Sequence, residues 1–526
     1  MGIFLLHARL LRLPYFWDEA GYYVPAARDL LLTGSLIPHS TLSNAHPPLV
    51  MAWLALCWRF SGYTPVVTRT AMLLIAAFAL LGIFRLAERA ANRPIAAATT
   101  VCSALYPVFF AQSSLAHLDL AAAALTFWGL AAYIDDRRLG AVVWFSLAAL
   151  AKETAILAPL ALFAWELLGP LLLGRDRSDK WCRRAESDKR RAFLLLLPLA
   201  PLSLWFAYHC QRTGYVFGNP EFFRYNVEAT LNPTRILLTL LMRLWQSVGY
   251  LHLLVLTVAG ALAMKCAPLV DAEEERPRIR LPVQAAFAVV IAAYIVAMAV
   301  VGGAVLARYM LPVVPLVILI WVSTLWRRLR RWREVVAVVC VMFVTGWFWN
   351  PPYGFAMEDN LAYRDYIELH QLAEDFVEAR YPMARVLTAW PASDEISRPF
   401  LGYVSRPLRV VRLEDFSLEQ VLAAAEARST FEVALLFSTK YEPPPLSLGT
   451  WPAWERIKMR LFGYHRDLPP ETAAQILGGR IVFSQKRNGQ WVAVVVMERV
   501  VDAELRGPAG IPETLQATSL GSRLSP

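Results

Sequence analysis

The sequence predicts a polytopic α-helical membrane protein that carries a C-terminal α/β domain outside the cytoplasm. Three observations lead to this fold class. Hydrophobic residues make up 57% of the 526 residues and the mean hydropathy is +0.41, which is higher than in soluble domains of this size. Long apolar runs recur along the first 350 residues. After residue 350 the composition changes to that of a soluble domain.

The apolar runs predict the membrane-spanning helices. Each run is long enough, or nearly long enough, for a helix that crosses the bilayer, which needs about 20 apolar residues. The opening segment MGIFLLHARLLRLPYF is too short and too basic for a complete span, and we interpret it as the outer part of an abbreviated first span. About 11 transmembrane helices are therefore expected. The runs cover 72–88, 95–112, 118–134, 139–151, 154–173, 192–210, 236–264, 282–304, 310–326 and 334–349.

Basic clusters between these runs predict the sidedness. The clusters follow the positive-inside rule if all of them are cytoplasmic, so the net charge of +10 reflects topology and does not indicate nucleic-acid binding. This assignment requires 47–61 to be a juxtamembrane helix; the alternative, a span with one failure of the rule, stays open. Everything after 350 then lies outside the cytoplasm. The clusters are 85–93, 135–138, 174–191, 271–281 and 327–333.

The predicted domains are a transmembrane domain (1–350), an extracytoplasmic α/β domain (351–506) and a loose tail (507–526). Periodicity in the second domain predicts helices over 361–380 and 417–428. It also predicts strands over 384–390, 431–437, 480–485 and 490–498. The six cysteines lie mostly in or beside apolar runs, so a disulfide framework is not expected.

Several ionisable residues fall at the predicted outer boundary of the membrane. Such residues are costly unless they are paired or functional, and they are therefore site candidates. Taken singly, the acids could cap the helices that follow them, the cations could extend to lipid head groups, and the histidine could be a loop residue. Their convergence on one side favours a common site. The candidates are Asp18 and Glu19 in YFWDEAGYY, His46, Asp119, Lys152, Arg308 and its neighbour Tyr309.

Carboxylates beside cations at this boundary predict transfer from a lipid-linked phosphate donor. The cations would hold the phosphate, and a carboxylate would remove a proton from an acceptor hydroxyl. The sequence contains no glycine-rich loop for a soluble nucleotide. No cofactor is certain; a divalent metal between the two first-loop acids and His46 is possible, although no metal-ligand spacing supports one.

Five segments occur in the order seen in the GT-C membrane glycosyltransferases. The chain resembles the branch (glycosyltransferase family 39-like) that contains the protein O-mannosyltransferases and the aminoarabinose transferase of lipid A. The ordered set is more specific than any one segment. The segments are WDEAGYY (17–23), HPPL (46–49), LDLAAAALTFW (118–128), LAKETAILAP (150–159) and RYMLP (308–312).

The resemblance implies an inverting transferase of a bacterial inner membrane that moves a sugar from a polyprenyl-phosphate carrier to an extracytoplasmic acceptor. It implies that Asp18 is the general base or orients the acceptor, with Glu19 beside it, and that Asp119 is the second catalytic acid. Lys152 and Arg308 match cation positions near the donor phosphate. His46 and Tyr309 join that substrate-binding set. Membrane lipids are the expected surroundings, and nucleic acid is not an expected partner.

Two departures bear on the acceptor. His46 before Pro-Pro is similar to the mannosyltransferases, whereas the aminoarabinose transferases have lysine there. The loop 211–235 is too short for the β-trefoil insertion of the eukaryotic protein mannosyltransferases, so the acceptor class, whether lipid, glycan or protein, stays open. A transporter or flippase of a lipid-linked sugar is the main alternative function, but no internal repeat supports it. A second alternative is a scaffold or receptor whose outer α/β domain is the working part.

Overall fold

The computed structural model describes residues 2–172, 192–271, 273–443 and 451–498. The predicted basic loop 174–191 and the predicted tail 507–526 lie outside these residues. In the first 350 residues the described structure is almost entirely helical, and every predicted apolar run contains a helix. These α-helices are Gly2–His7, Val24–Thr33, Leu49–Ser61, Pro65–Ala90, Arg93–Leu105, Pro107–Gln112, Asp119–Ile134, Arg138–Ala151, Leu157–Leu172, Leu199–Thr213, Pro220–Asn226, Pro233–Val248, Leu253–Ala263, Leu281–Val300, Val314–Arg328 and Trp332–Phe348.

Short 3₁₀ and π-helical turns connect several of these helices and contain three of the seven candidate residues, Glu19, Arg308 and Tyr309. The π-helical turn Glu19–Tyr23 follows the predicted first-loop acid. The 3₁₀ turns of the described residues are Glu153–Ile156, Leu194–Leu196, Glu228–Thr230, Tyr250–His252, Ala307–Met310, Met357–Asp359, Pro399–Leu401 and Arg428–Thr430.

Four helical stretches among the described residues are long and apolar enough to cross a membrane. They are Pro65–Ala90, Leu194–Thr213, Pro233–Ala263 and Leu281–Val300. Leu49–Ser61 is apolar but has only 13 residues, which is too short for a span and is consistent with the predicted juxtamembrane helix. The predicted number of about 11 spans stays a prediction.

The C-terminal part contains a five-stranded mixed sheet. Two short strands of the helical part, β1 (Val270–Asp271) and β2 (Glu274–Glu275), form a separate hairpin. The five strands of the C-terminal sheet are β3 (Arg385–Ala389), β4 (Arg409–Leu413), β5 (Val433–Phe437), β6 (Gly479–Arg487) and β7 (Gln490–Met497). The sheet order is β4-β3-β5-β7-β6. β3 pairs in parallel with β4 and β5, whereas β7 is antiparallel to β5 and β6. The helices are Ala362–Arg380, Ala392–Ser397, Leu418–Glu426, Pro452–Phe462 and Pro470–Leu477.

The structure confirms all four predicted strands and both predicted helices of this part. The sequence prediction missed β4 because its five residues, RVVRL, begin with arginine and carry a second arginine in an edge position with little burial. β7 was easier to predict because all eight of its residues are buried in the interior of the sheet, where a run of valines is favoured.

The sheet domain shares one hydrophobic core with the N-terminal loop. Tyr15 and Phe16 belong to the same buried cluster as Tyr366, Val386 and Leu435. The Tyr403 hydroxyl also donates a hydrogen bond to the Tyr15 carbonyl oxygen at 2.9 Å. The loop with the acid pair is therefore held between the helical part and the sheet domain, and both parts position its side chains.

Candidate functional site

A cavity of about 900 Å³ lies where the N-terminal loop, the helical part and the sheet domain meet. Five of the predicted site residues line it: Asp18, His46, Lys152, Arg308 and Tyr309. Asp119 and Glu19 do not. Much of the remaining wall is aromatic or aliphatic and includes Trp17, Tyr22, Tyr23, Phe206, Phe217, Phe222, Phe223, Tyr225, Val301, Leu306, Phe355 and Trp390.

The backbone at Trp17 and Asp18 orients the Asp18 and Glu19 side chains in different directions. Trp17 has a φ of 44°, which an aromatic residue rarely adopts, and the π-helical turn begins directly after Asp18. Asp18 stands at the N-cap position, but its side chain makes no capping hydrogen bond. Helix capping therefore does not account for Asp18 in this structure.

Arg308 joins three acids from distant parts of the chain. Its Nη2 lies 2.5 Å from Asp18 Oδ2, its Nη1 donates to Glu358 Oε2 at 2.9 Å, and its Nε lies 3.4 Å from Asp119 Oδ2. The Arg308 and Asp119 side chains are almost fully buried, whereas 31% of the Asp18 side chain is exposed. Of these three acids, Asp18 is thus the most accessible to a molecule in the cavity.

Lys152 forms the second cationic part of the site. Its Nζ lies 2.6 Å from Asp119 Oδ1. The Tyr309 ring lies beside both cations, with its centroid 4.1 Å from Lys152 Nζ and 5.8 Å from the Arg308 guanidinium carbon. Asp119 therefore pairs with both cations from behind the cavity wall, and its position fits an orienting role.

Glu358 is a site residue that the sequence analysis missed. It lines the cavity next to Arg308 and belongs to the turn Met357–Asp359, beyond the last long helix of the helical part. Burial, together with repulsion from Asp18, Asp359 and Asp119, raises the pKa of Glu358 to about 8 despite the opposing effect of Arg308. Glu358 is therefore mostly protonated at neutral pH, and Asp18 and Asp119 are left to balance Arg308.

Glu19 lies in a closed polar pocket away from the cavity. Its two oxygens lie 2.5 and 2.9 Å from the two terminal nitrogens of Arg69, and it also accepts backbone hydrogen bonds from Phe16 and Ala116. The Glu19 and Arg69 side chains are 0% and 1% exposed. This geometry indicates a structural role for Glu19, and its predicted catalytic role stays a prediction.

His46 lies on the cavity wall. Its Nδ1 lies 3.0 Å from Glu153 Oε2. Because Asp18 and Glu19 are engaged by two different arginines, the structure does not gather these two acids and His46 around one point as a metal site requires.

The structure also extends the predicted site into the sheet domain. The sequence analysis placed all candidates at the outer boundary of the membrane, but Trp390, Thr439, Lys440 and Tyr441 of the sheet domain form part of the cavity wall. No local signal identifies these residues. Glu358 did have a signal, because the acidic pair in AMEDN follows an apolar run as the pair in YFWDEAGYY does.

Comparisons with known proteins bear on the fold. A sequence model of the family described as dolichyl-phosphate-mannose-protein mannosyltransferase matches residues 45–205, under a third of the chain. A comparison with curated protein sequences found no match.

Two crystal structures of ArnT from Cupriavidus metallidurans are similar over nearly their whole length. The structure bound to undecaprenyl phosphate aligns with a TM-score of 0.56 at 13% identity, over 94% of this chain and 96% of that chain. The apo structure aligns with a TM-score of 0.53 at 14% identity, over 97% and 99%. The chain therefore has the GT-C fold, and the resemblance drawn from the sequence segments is confirmed.

Proposed function

We propose that the protein is an inverting glycosyltransferase that moves a sugar from a polyprenyl-phosphate carrier to an acceptor on the extracytoplasmic side of a bacterial inner membrane. The observation that carries this proposal is one cavity in which Asp18, Lys152 and Arg308 line the same wall. The ligand of the similar ArnT structure, undecaprenyl phosphate, is a polyprenyl phosphate, the class of lipid carrier proposed here.

Arg308 and Lys152 are the proposed phosphate ligands. Both side chains are almost fully buried, so their attraction to a phosphate is screened far less than it would be in water. Negative charge grows on the phosphate as the bond to the sugar breaks, and nearby cations stabilise that charge. Tyr309, whose ring lies beside both cations, keeps them separated and oriented.

The apolar wall gives the lipid part of the donor a place to bind. Phe206, Phe217, Phe222 and Phe223 line the same cavity as the two cations. A polyprenyl chain is a branched hydrocarbon, and its transfer from water to an apolar surface is favourable by about 25 cal/mol for each Å² buried. The cavity thus combines an anion site with a hydrocarbon site, as an amphipathic donor requires.

Asp18 is the proposed general base. In the free protein it is paired with Arg308, so a donor phosphate that binds Arg308 competes with Asp18 and releases its carboxylate toward the acceptor. The acceptor hydroxyl then attacks the anomeric carbon while Asp18 takes its proton. A new carbon–oxygen bond forms as the bond to the phosphate oxygen breaks, and the phosphate carrier leaves beside Arg308 and Lys152.

The deciding experiment uses membranes that contain the protein and a panel of labelled polyprenyl-phosphate sugars. Transfer of one label to a lipid, glycan or protein fraction, absent from membranes without the protein, supports the proposal and identifies sugar and acceptor together. Movement of intact labelled donor across sealed vesicles without transfer to any acceptor would instead support the flippase alternative and contradict the transferase.

A further inference from the structure

Three buried side chains of the sheet domain form a cluster that the proposed transfer does not use. His370 and Glu374 lie one turn apart on the helix Ala362–Arg380, and Glu395 lies on the helix Ala392–Ser397. Their exposed fractions are 1%, 0% and 0%. One ligand atom from each lies within 4.8 Å of the others, so the three side chains face a common point.

The hydrogen bonding inside this cluster is incomplete. His370 Nδ1 lies 2.7 Å from Glu395 Oε2 and 3.6 Å from Glu374 Oε1. Both oxygens of Glu374, Oε1 of Glu395 and Nε2 of His370 have no hydrogen-bond partner within the described part of the chain. Two carboxylates removed from water without full pairing are strongly unfavourable, so this cluster lacks a counter-charge.

We propose that His370, Glu374 and Glu395 bind a divalent metal ion of the zinc type. One neutral imidazole and two carboxylates carry two negative charges, which a divalent cation balances. Imidazole and carboxylate are both good ligands for zinc, with bonds of about 2.0–2.2 Å, so that ligand atoms of one ion lie roughly 3–4 Å apart. The separations of 2.7 and 3.6 Å within the cluster are close to this range.

The ion has a structural role in this position. The Tyr366 ring stacks on His370 at 3.9 Å and packs against Trp17 at 5.6 Å. Trp390, five residues before Glu395, also packs against Trp17 at 5.3 Å, and both tryptophans line the cavity. An ion that joins the two helices therefore fixes the wall beside Asp18 without contacting the cavity.

The test uses the full-length protein purified in detergent, loaded with Zn²⁺ and dialysed against metal-free buffer. Bound zinc per chain is measured by mass spectrometry, and the melting temperature is measured with and without a chelator. The variants are Glu374→Gln, which keeps the side-chain shape, and His370→Gln. The matched control is Asp375→Asn, an exposed acid next to Glu374 on the same helix.

We expect about one zinc ion per chain in the wild type and in the control, and at least tenfold weaker binding in both variants. The chelator is expected to lower the melting temperature of the wild type but not of Glu374→Gln. Equal zinc content in Glu374→Gln and wild type overturns the proposal, because the ion then lies elsewhere.

The proposal is also overturned if the wild-type protein binds no zinc and the chelator leaves its melting temperature unchanged. In that case the two carboxyl groups share a proton, since burial and repulsion from Glu395 raise the pKa of Glu374 well above its usual range. Metal content is measured without any activity assay, so this test is independent of the proposed transfer.

Discussion

The two neighbouring acids of the first loop lie in two different kinds of arginine pocket. Glu19 and Arg69 form a closed pair in which both side chains are fully buried and the carboxylate also accepts two backbone hydrogen bonds. Asp18 and Arg308 form an open pair, in which the aspartate is partly exposed to a large cavity and the arginine is shared with other acids. The same kind of ion pair is thus closed at one residue and open to a cavity at the next.

The largest effect on the transfer rate is expected from a substitution in the open pair. Asp18→Asn removes the proposed base, so we expect the transfer rate to fall by roughly 10²- to 10⁴-fold while membrane insertion and folding are unchanged. Donor binding is expected to persist, because Arg308 loses a competitor. Turnover at saturating donor and the melting temperature are measured in parallel, with Glu414→Gln, an exposed acid of the sheet domain, as the control. Wild-type turnover in Asp18→Asn would remove the catalytic assignment.

A substitution in the closed pair is expected to lower the stability of the folded protein. Glu19→Gln leaves the buried Arg69 charge without its carboxylate, and such a change costs about 3–5 kcal/mol. We expect a lower melting temperature and less folded protein in the membrane, with Asp18→Asn as the matched control from the next position. An equally stable Glu19→Gln protein with lost turnover would show instead that Glu19 acts in catalysis.

The pH dependence of the KM for donor distinguishes Glu358 from Asp18 and Asp119, the other two acids that pair with Arg308. Below pH 8 the neutral form of Glu358 leaves the Arg308 charge available to the donor, whereas above its pKa of about 8 the ionised carboxylate competes with phosphate. We expect the KM for donor to rise by about tenfold between pH 7 and 9, because a hydrogen bond to a charged group contributes about 1.5–3 kcal/mol.

Glu358→Gln should flatten that rise, since its amide stays neutral over the whole range. Asp359→Asn is the comparison; this neighbour accepts a hydrogen bond from the Tyr250 hydroxyl and does not line the cavity, so the rise is expected to persist, with its midpoint at lower pH because Asp359 no longer repels the Glu358 carboxylate. A rise that survives in Glu358→Gln would assign the titration to another group.

The smallest expected effect is at the cavity wall. His46→Ala removes the contact with Glu153 that holds these two side chains of the cavity wall in place. Because one hydrogen bond contributes about 1 kcal/mol to such positioning, we expect the KM to rise by no more than about fivefold, with little change in kcat. His46→Asn, which keeps an N–H near the position of Nδ1, should recover most of the affinity. A loss of kcat in both variants would place His46 with Asp18 in the reaction itself.

How far the site could be predicted depended on the range of the interactions. Asp18, Lys152 and Arg308 were predictable because each is a charge at the end of an apolar run, which is a local signal. The division of roles between Asp18 and Glu19 was not, because their partners are 290 and 50 residues away along the chain. The segment WDEAGYY contains no signal that distinguishes Asp18, which lines the cavity, from Glu19, which does not.

The sequence by itself determined the helical membrane part, the strands rich in valine and the order of the charged segments, because hydrophobic periodicity and membrane thickness act over a few turns of chain. Only the tertiary structure decided that the sheet domain shares a core with the first loop and supplies Trp390 to the cavity wall. It also brought His370 and Glu395 together from two helices. Packing between distant segments sets burial, and burial decides whether a charge is structural or available to a ligand.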